Sequence, residues 1–186
     1  AAGCEVIVGV LETERKIHHK RFLTYHSKKR PYIILKWAES KDGFTAPLSK
    51  TEIKPVCMSN LRSMQLVHQW RAEEQAILVG ANTIVLDNPR LTTREVQGQN
   101  PIRIIIDIKN TLPRSSQVFN SEAKTIKLTK SEIDPNKPLA AQVSKALYLN
   151  KITSVIVEGG QKTLQAFINE GLWDEARVFS SEIYLK

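Results

Sequence analysis

The chain has 186 residues, of which 41 % are hydrophobic and 25 % are charged, and its formal net charge is +8 at pH 7. This length and composition are typical of a globular protein with one good core plus an appendage, and they exclude a disordered chain. The apolar stretches are shorter than the roughly eighteen residues of a membrane helix, and the opening residues do not resemble a signal peptide. We therefore predict a cytoplasmic protein without a membrane partner.

The positive charge and the two cysteines limit the ligands to expect. An excess of positive charge favours anions, which include nucleic acids, phosphorylated metabolites and dinucleotide cofactors. Cys4 and Cys57 lie far apart in the sequence and outside any CxxC or histidine-rich motif. We therefore predict no disulfide framework and no bound metal.

The first thirty residues combine a strand-like opening with a basic segment. Residues 3–11 place β-branched residues between glycines, which predicts a short strand, and residues 12–21 have the pattern of a polar, helical tail. Because that strand would have no partner nearby in sequence, we expect the chain to begin inside a longer protein. Residues 15–30 are strongly basic, and we interpret them as a solvated linker, with a nucleic-acid interface as the alternative.

The next two predicted elements are a strand over 31–37 and a helix over 61–74. Lys36 interrupts the apolar strand, which marks either a sheet edge or a site at the strand's end, and its last-but-one position favours the site. The helix has an apolar face that we expect in the core, formed by Leu61, Met64, Val67 and Trp70. Arg71 follows at the edge of this face.

The densest chemistry lies in residues 80–94, which follow a predicted buried strand over 76–79. Ligands commonly bind where the chain leaves the carboxyl end of a strand in an open α/β sheet. Thr83 supplies a hydroxyl there, Asp87 opens an Asp-Asn-Pro turn, and Arg94 supplies a guanidinium. The alternative is a plain Asn-Pro turn that joins the strand to a loop.

The rest of the chain alternates strands with helices, which predicts an α/β fold. The predicted strands cover residues 101–107, 124–129, 154–157 and 176–179, and the predicted helices cover 138–149 and 161–169. Glu158-Gly159-Gly160 lies at the junction between the predicted strand over 154–157 and the predicted helix over 161–169. Glycines at such a junction let the backbone approach a ligand and point free amides at an anion, although the GxGxxG fingerprint is absent.

Four collinear blocks resemble the reductase domain of the bifunctional riboflavin-biosynthesis deaminase/reductases. They are RPYIILKWAESKDG, GANTIVLDNPRLTTR, PIRIIID and SVIVEGGQKTLQAFINEGLWDEARVF. The resemblance implies a dihydrofolate reductase-like three-layer fold with a mostly parallel central sheet flanked by helices. It also implies reduction of 5-amino-6-(5-phosphoribosylamino)uracil to the ribitylamino compound with NADPH, in a homodimer or higher homo-oligomer.

The resemblance also suggests how the chain divides. The opening GCEVIVGVLETE is similar to the end of the family's deaminase domain, whose zinc signature is not in this sequence. We expect residues 1–29 to be the tail of that domain plus a basic linker, and 30–186 to be a reductase domain that is incomplete at its C-terminus. Pro55, Cys57 and Ile108 replace polar or aromatic residues of the family, which leaves the choice between NADPH and NADH open.

The resemblance assigns a role to each matching residue. The expected catalytic residues are Asp87 and Lys36. The expected substrate contacts are Arg71, Leu91, Arg94 and Glu158. The expected cofactor contacts are Ala38, Thr83, Asp87, Gly159 and Gly160. The two arginines suit the sugar phosphate, because guanidinium forks match phosphate oxygens better than an ammonium does.

Two alternatives stay open. A reductase of the same fold could act on another pterin- or pyrimidine-like substrate. The sequence does not distinguish this function from reduction of the phosphoribosylaminouracil. A basic nucleic-acid-binding domain would use residues 15–30, and we predict no nucleic-acid partner.

Overall fold

The structure, a computed structural model, describes residues 3, 5, 7–45 and 61–185. The helices in this part of the chain are α1 (Glu12–His18), α2 (Lys20–Lys28), α3 (Leu61–Glu73), α4 (Ala81–Asp87), α5 (Leu139–Leu149) and α6 (Gln161–Asn169). The strands are β1 (Tyr32–Glu39), β2 (Ala76–Gly80), β3 (Ile102–Ile106), β4 (Thr125–Leu128), β5 (Ser154–Val157) and β6 (Glu175–Ser180). The expectations for Cys4, Pro55 and Cys57 lie outside the described residues.

The six strands form one sheet in the order β4-β3-β2-β5-β1-β6, and each neighbouring pair is parallel. A parallel sheet is usually covered on both faces, so its central strands are continuous apolar runs rather than alternating ones. The run AILVG of β2 and the run SVIV of β5 follow this rule, and both strands are buried. The predicted α/β class with a mostly parallel sheet is confirmed.

Helices cover both faces of the sheet. On one face, Leu78 and Val155 pack with Val143 of α5 and Phe167 of α6. On the opposite face, α4 packs over β2 and β3, while Trp70 of α3 packs against Tyr32, Ile34 and Ile156. This arrangement of two helical layers around a sheet is the three-layer fold expected from the resemblance.

The strands and helices predicted from residue 31 onward are all present, with ends that differ by about one or two residues. One difference matters for the site. Strand β1 continues to Glu39, so Lys36 is the fifth of its eight residues instead of the last but one. The side chain of Lys36 therefore rises from the body of the sheet.

The core face predicted for α3 is wrong in part. Val67 is buried, but Leu61 and Met64 are 61 % and 40 % exposed, and Trp70 is only partly buried. The second buried residue of the helix is His68, which is 5 % exposed. The face turned toward the protein is thus rotated toward Val67, His68 and Arg71, because the helix lies over a polar cleft and not over a purely apolar surface.

The predictions for the N-terminal residues also need correction. The described residues of the segment 3–11 form no strand, and the helical pattern begins at Glu12. Residues 20–28 are helix α2, which packs against β1 and is not a solvated linker. Lys20 forms an ion pair of 2.7 Å with Glu175, and Arg30 donates to Asp174 at 2.9 Å. Carboxylates that are distant in sequence therefore neutralise part of the basic segment.

None of the described helices is long and apolar enough to cross a membrane.

Candidate active site

The connections after β2 and β5 diverge at the carboxyl edge of the sheet. These strands are neighbours, but α4 follows β2 to one face, where Ile84 is buried, and α6 follows β5 to the other, where Phe167 is buried. Such a divergence opens a crevice at the strand ends, which is where open α/β sheets bind ligands. The residues at this position are Gly80 and the Glu158-Gly159-Gly160 junction.

The two glycines of the junction have different reasons to be glycine. A Cβ on Gly159 would lie 2.4 Å from the Val79 Cα, so this glycine is needed for the close approach of β2 and β5. Gly160 has φ +64°, and a Cβ there would lie 3.5 Å from the Thr83 hydroxyl oxygen. The structure thus brings together Thr83, Gly160 and the N-terminus of the nine-residue helix α6. Free amides at a helix N-terminus favour an anion.

A cleft of about 210 Å³ lies beside this junction, between α3 and the sheet. Its walls combine residues from β1, α3, β6 and the loop after α4: Lys36, Ala38, Met64, Val67, His68, Arg71, Arg94 and Phe179. Lys36 and Ala38 share a face of β1 because side chains alternate along a strand. The cleft therefore collects four of the predicted site residues, which are Lys36, Ala38, Arg71 and Arg94.

Glu158 connects the junction to the cleft. Its Oε2 accepts a hydrogen bond of 2.9 Å from Arg71 Nη2, and the two side chains are 9 % and 12 % exposed. Burial by itself would raise the pKa of Glu158, but the charges of Arg71 and Lys36 outweigh it and lower that pKa below its ordinary value. The carboxylate is therefore ionised at neutral pH.

One oxygen of this carboxylate has no donor. Glu158 Oε1 is buried, and none of the described residues donates a hydrogen bond to it. Arg71 Nε is buried as well, and none of the described residues accepts a hydrogen bond from it. Buried polar atoms are nearly always paired in native proteins, so an unpaired carboxylate oxygen beside a cleft indicates a ligand donor. An N–H group of a heterocycle would fill that role.

The two arginines are fastened to one buried residue, Thr92, which is 2 % exposed. Arg71 Nη1 donates to the Thr92 carbonyl at 3.3 Å, and Arg94 Nη1 donates to the Thr92 hydroxyl at 3.1 Å. Holding two guanidinium groups beside each other costs electrostatic energy that an anion between them would recover. The geometry is thus suited to a phosphate or a similar group.

Four of the eight cleft residues were not predicted as site residues: Met64 and Val67 were expected in the core, and His68 and Phe179 were not singled out. His68 stands three residues before Arg71, a spacing that puts both side chains on one face of a helix, so the spacing is a usable signal. Phe179 lies near the end of the edge strand β6, with Lys36 Nζ at 5.7 Å from its ring centre. The apolar residues around Phe179 predict a strand, and they do not indicate a site.

The structure places two predicted site residues away from the cleft walls. Leu91 is 3 % exposed and belongs to a core cluster with Val79 and Ile105, so its side chain is a packing residue. Asp87 is the exposed last residue of α4, and Asn88 ends that helix in the left-handed region at φ 40°. Helix α4 was not predicted, because this stretch was expected to be a turn and a loop. The catalytic and binding roles of Asp87 and Leu91 stay predictions.

No group of three or more histidine, cysteine or carboxylate side chains positioned to hold a metal ion occurs within residues 7–45 and 61–185.

These features define an α/β domain with a cleft rich in cationic side chains at the carboxyl edge of a parallel sheet. The family model of the RibD C-terminal domain matches residues 31–185. The chain belongs to this family.

Named relatives agree with this assignment. The riboflavin biosynthesis protein RibD of Aquifex aeolicus is 37 % identical over 194 residues, which cover 96 % of this chain and 54 % of the relative. The 2,5-diamino-6-ribosylamino-4(3H)-pyrimidinone 5′-phosphate reductase of Archaeoglobus fulgidus is 28 % identical over 184 residues, covering 84 % of this chain and 82 % of that protein.

A solved structure is similar as well. It is a Thermotoga maritima diaminohydroxyphosphoribosylaminopyrimidine deaminase/5-amino-6-(5-phosphoribosylamino)uracil reductase, with a TM-score of 0.83 and 36 % identity, covering 98 % of this chain and 54 % of that one. The chain thus spans about half the length of the RibD proteins that it matches.

Proposed function

We propose that this chain is an NADPH-dependent reductase that converts 5-amino-6-(5-phosphoribosylamino)uracil into 5-amino-6-(5-phosphoribitylamino)uracil. The names of the Archaeoglobus and Thermotoga relatives support a phosphorylated pyrimidine as the substrate class. The observation that carries the proposal is Glu158, a buried and ionised carboxylate whose Oε1 has no donor among the described residues.

The cleft suits the two ends of such a substrate. Glu158 Oε1 would accept a hydrogen bond from a ring N–H, and a hydrogen bond to a charged group is worth about 1.5–3 kcal/mol. Arg94 and Arg71 would bind the sugar phosphate. Because Arg71 also donates to Glu158, it ties the phosphate end of the cleft to the heterocycle end.

The residues at the junction fit a dinucleotide. Any Cβ on Gly160 would fill the space in front of the Thr83 hydroxyl, and the N-terminus of α6 opens onto that space. Gly160, Thr83 and the first amides of α6 would hold the cofactor's diphosphate, with Gly159 allowing the strands to approach and Ala38 leaving room at the cleft. When bound, NADPH supplies the hydride that reduces the sugar carbon.

The proton that accompanies the hydride would come from Lys36. Its ammonium lines the cleft and is close enough to Glu158 to lower the pKa of that carboxyl. A positioned general acid typically contributes about 10²–10⁴-fold to a rate. Asp87 is the alternative proton donor, and in the structure it lies exposed at the end of α4.

A direct assay tests the proposal. The purified chain, given NADPH and the phosphoribosylaminouracil, is expected to consume NADPH and to form the ribityl product, with NADH oxidised more slowly. A dihydropterin serves as the control for another substrate of the same fold. Oxidation of NADPH with the dihydropterin but not with the phosphoribosylaminouracil would assign the chain to the other substrate class.

The remaining parts of the proposal concern partners and location. We place the enzyme in the cytoplasm as a homodimer or higher homo-oligomer, which light scattering of the purified chain can check. A nucleic-acid-binding function is less well supported, because Lys20, Arg21 and Arg30 are paired with carboxylates.

A further inference from the structure

His68 is a buried residue of the cleft, and the reaction proposed above gives it no role. The residue is 5 % exposed and lines the cleft from helix α3. Its Nδ1 accepts a hydrogen bond of 3.2 Å from the backbone N–H of Arg94. A nitrogen that accepts cannot carry a proton, so His68 is the neutral tautomer with its hydrogen on Nε2.

This hydrogen bond joins two elements that meet only in the folded protein. Arg94 belongs to the loop that follows α4; the residue as a whole is exposed, and its guanidinium donates to the Thr92 hydroxyl at the cleft. The loop segment from Thr92 to Arg94 reaches α3 through Arg71, whose Nη1 donates to the Thr92 carbonyl at 3.3 Å, and through His68. Of these two contacts, only that of His68 acts on the backbone of Arg94 itself.

We propose that His68 is a positioning residue that sets the Arg94 guanidinium beside Arg71 for phosphate binding, by accepting the Arg94 backbone N–H. The inference rests on the proposed function, because it assigns phosphate to the arginine pair. His68 makes no contact with the phosphate in this scheme. His68 acts through the loop. Replacing its side chain lets the Arg94 guanidinium move away from Arg71, although the guanidinium is still present.

The surroundings of His68 keep it in the accepting form. Burial lowers its pKa first, and the charges of Arg71 and Arg94 lower it further, while Glu95 and a hydrogen bond with the Thr92 backbone act in the opposite direction. The net shift is downward, so the ring is neutral at neutral pH. Lys36 on β1 and Glu158 after β5 are the other charged groups that face this part of the cleft.

A purely structural histidine in the same place would behave differently. Its replacement would lower stability without changing the affinity for a phosphate, and its effect would not depend on Arg94. A double-mutant cycle separates the two roles, since residues that act through one another are not additive.

The experiment measures the binding of ribose 5-phosphate by calorimetry near neutral pH, without cofactor, so that it does not depend on the reductase reaction. The variants are His68→Leu, His68→Asn and His68→Gln, each in the wild-type and the Arg94→Ala background. Asn places its amide oxygen near the position of Nδ1 and keeps the acceptor, whereas Gln places its amide near the position of Nε2.

We expect His68→Leu to weaken ribose 5-phosphate binding about 5- to 10-fold, the effect of losing roughly one hydrogen bond. His68→Asn should bind ribose 5-phosphate within about twofold of the wild-type affinity, and His68→Gln should lose as much affinity as His68→Leu. In the Arg94→Ala background none of the three substitutions should lower the affinity further. Unchanged affinity in His68→Leu, or the same loss in both backgrounds, overturns the positioning role alone. Failure of the wild-type chain to bind ribose 5-phosphate overturns the phosphate site and this inference with it.

Discussion

Two groups of charged side chains lie on the same face of the sheet and differ in how their charges are matched. In the first, which we name the paired network, Lys20, Arg21 and Arg177 meet the carboxylates Glu74 and Glu175. In the second, the cleft, Arg71 alone of the three cations Lys36, Arg71 and Arg94 pairs with Glu158, and one oxygen of Glu158 has no donor among the described residues.

The difference teaches which charges hold the fold and which await a ligand. Glu74 has a fully buried carboxylate that accepts from Arg21 and Arg177, and Glu175 accepts from Lys20 at 2.7 Å and from Arg177 at 2.6 Å. Each cation of that network has a carboxylate partner, although Arg177 Nη1 is buried without an acceptor among the described residues. The cleft has three cations for one carboxylate, and an anionic substrate would supply the negative charge that it lacks. A basic patch therefore marks a site only where its charges are unmatched.

The largest expected effect is on catalysis in the cleft. Lys36→Met should lower kcat about 10²–10⁴-fold if Lys36 donates the proton, because the cleft arginines Arg71 and Arg94 cannot give up a proton in its place. Asp87→Asn is the matched test of the alternative donor and should leave kcat within about threefold, since Asn suits the same turn. Steady-state kinetics with the phosphoribosylaminouracil measure both variants, and the reverse pattern would move the proton transfer to Asp87.

The paired network should affect stability instead. Glu74→Gln removes the counter-charge of Arg21, which donates to both oxygens of this fully buried carboxylate, and leaves Arg177 with Glu175 alone. Breaking such a buried pair costs about 3–5 kcal/mol. Urea unfolding should show this loss in the free energy of unfolding, while KM stays at the wild-type value in the folded protein. A raised KM with unchanged stability would place Glu74 with the cleft.

Arg94 provides a smaller, binding-specific effect. Arg94→Ala should raise KM and lower kcat/KM about 10- to 150-fold, because the phosphate is remote from the reacting carbon and is bound equally in ground and transition states. Arg94→Lys should recover only part of the loss, since it keeps the charge without the fork. The matched control is Arg90→Ala, which removes an exposed arginine paired with Glu122 and should change neither constant.

The dephosphorylated substrate identifies what Arg94 binds. Wild type and Arg94→Ala should use it about equally poorly, because the partner of the missing guanidinium is already absent. An equal loss on both substrates would mean that Arg94 holds its loop in place and does not contact the phosphate.

The smallest expected effect is a pH dependence of stability from the paired network. Burial would raise the pKa of Glu175, but Lys20 and Arg177 lower it from 4.5 to about 2. Since the folded-state pKa is the lower one, the stabilisation is complete above about pH 4.5 and is lost as the pH falls toward 2. For a partly exposed group this is about 1 kcal/mol or less. In Glu175→Gln the urea midpoint of unfolding should depend less on pH over that range than in the wild type. The same pH dependence in both proteins would contradict the pairing.

The sequence by itself determined the elements and their class. Strands such as β2 and β5 are apolar along their whole length because both faces of a parallel sheet are covered, and this pattern is local. The Gly159-Gly160 junction was visible for the same reason, since a glycine pair between a strand and a helix is a feature of neighbouring residues. Local patterns failed where packing decides, as in the strand expected over 3–11 and in the inward face of α3.

Only the tertiary structure decided which of the many cations belong to the cleft. Arg21 pairs with Glu74 across 53 residues, Lys20 with Glu175 across 155, and Arg71 with Glu158 across 87. A sequence shows that these side chains are charged, but the strength of an ion pair depends on distance and burial, which exist only after the chain has folded. For this reason Arg21 and Arg71 look alike in the sequence, whereas in the fold one belongs to the paired network and the other lines the cleft.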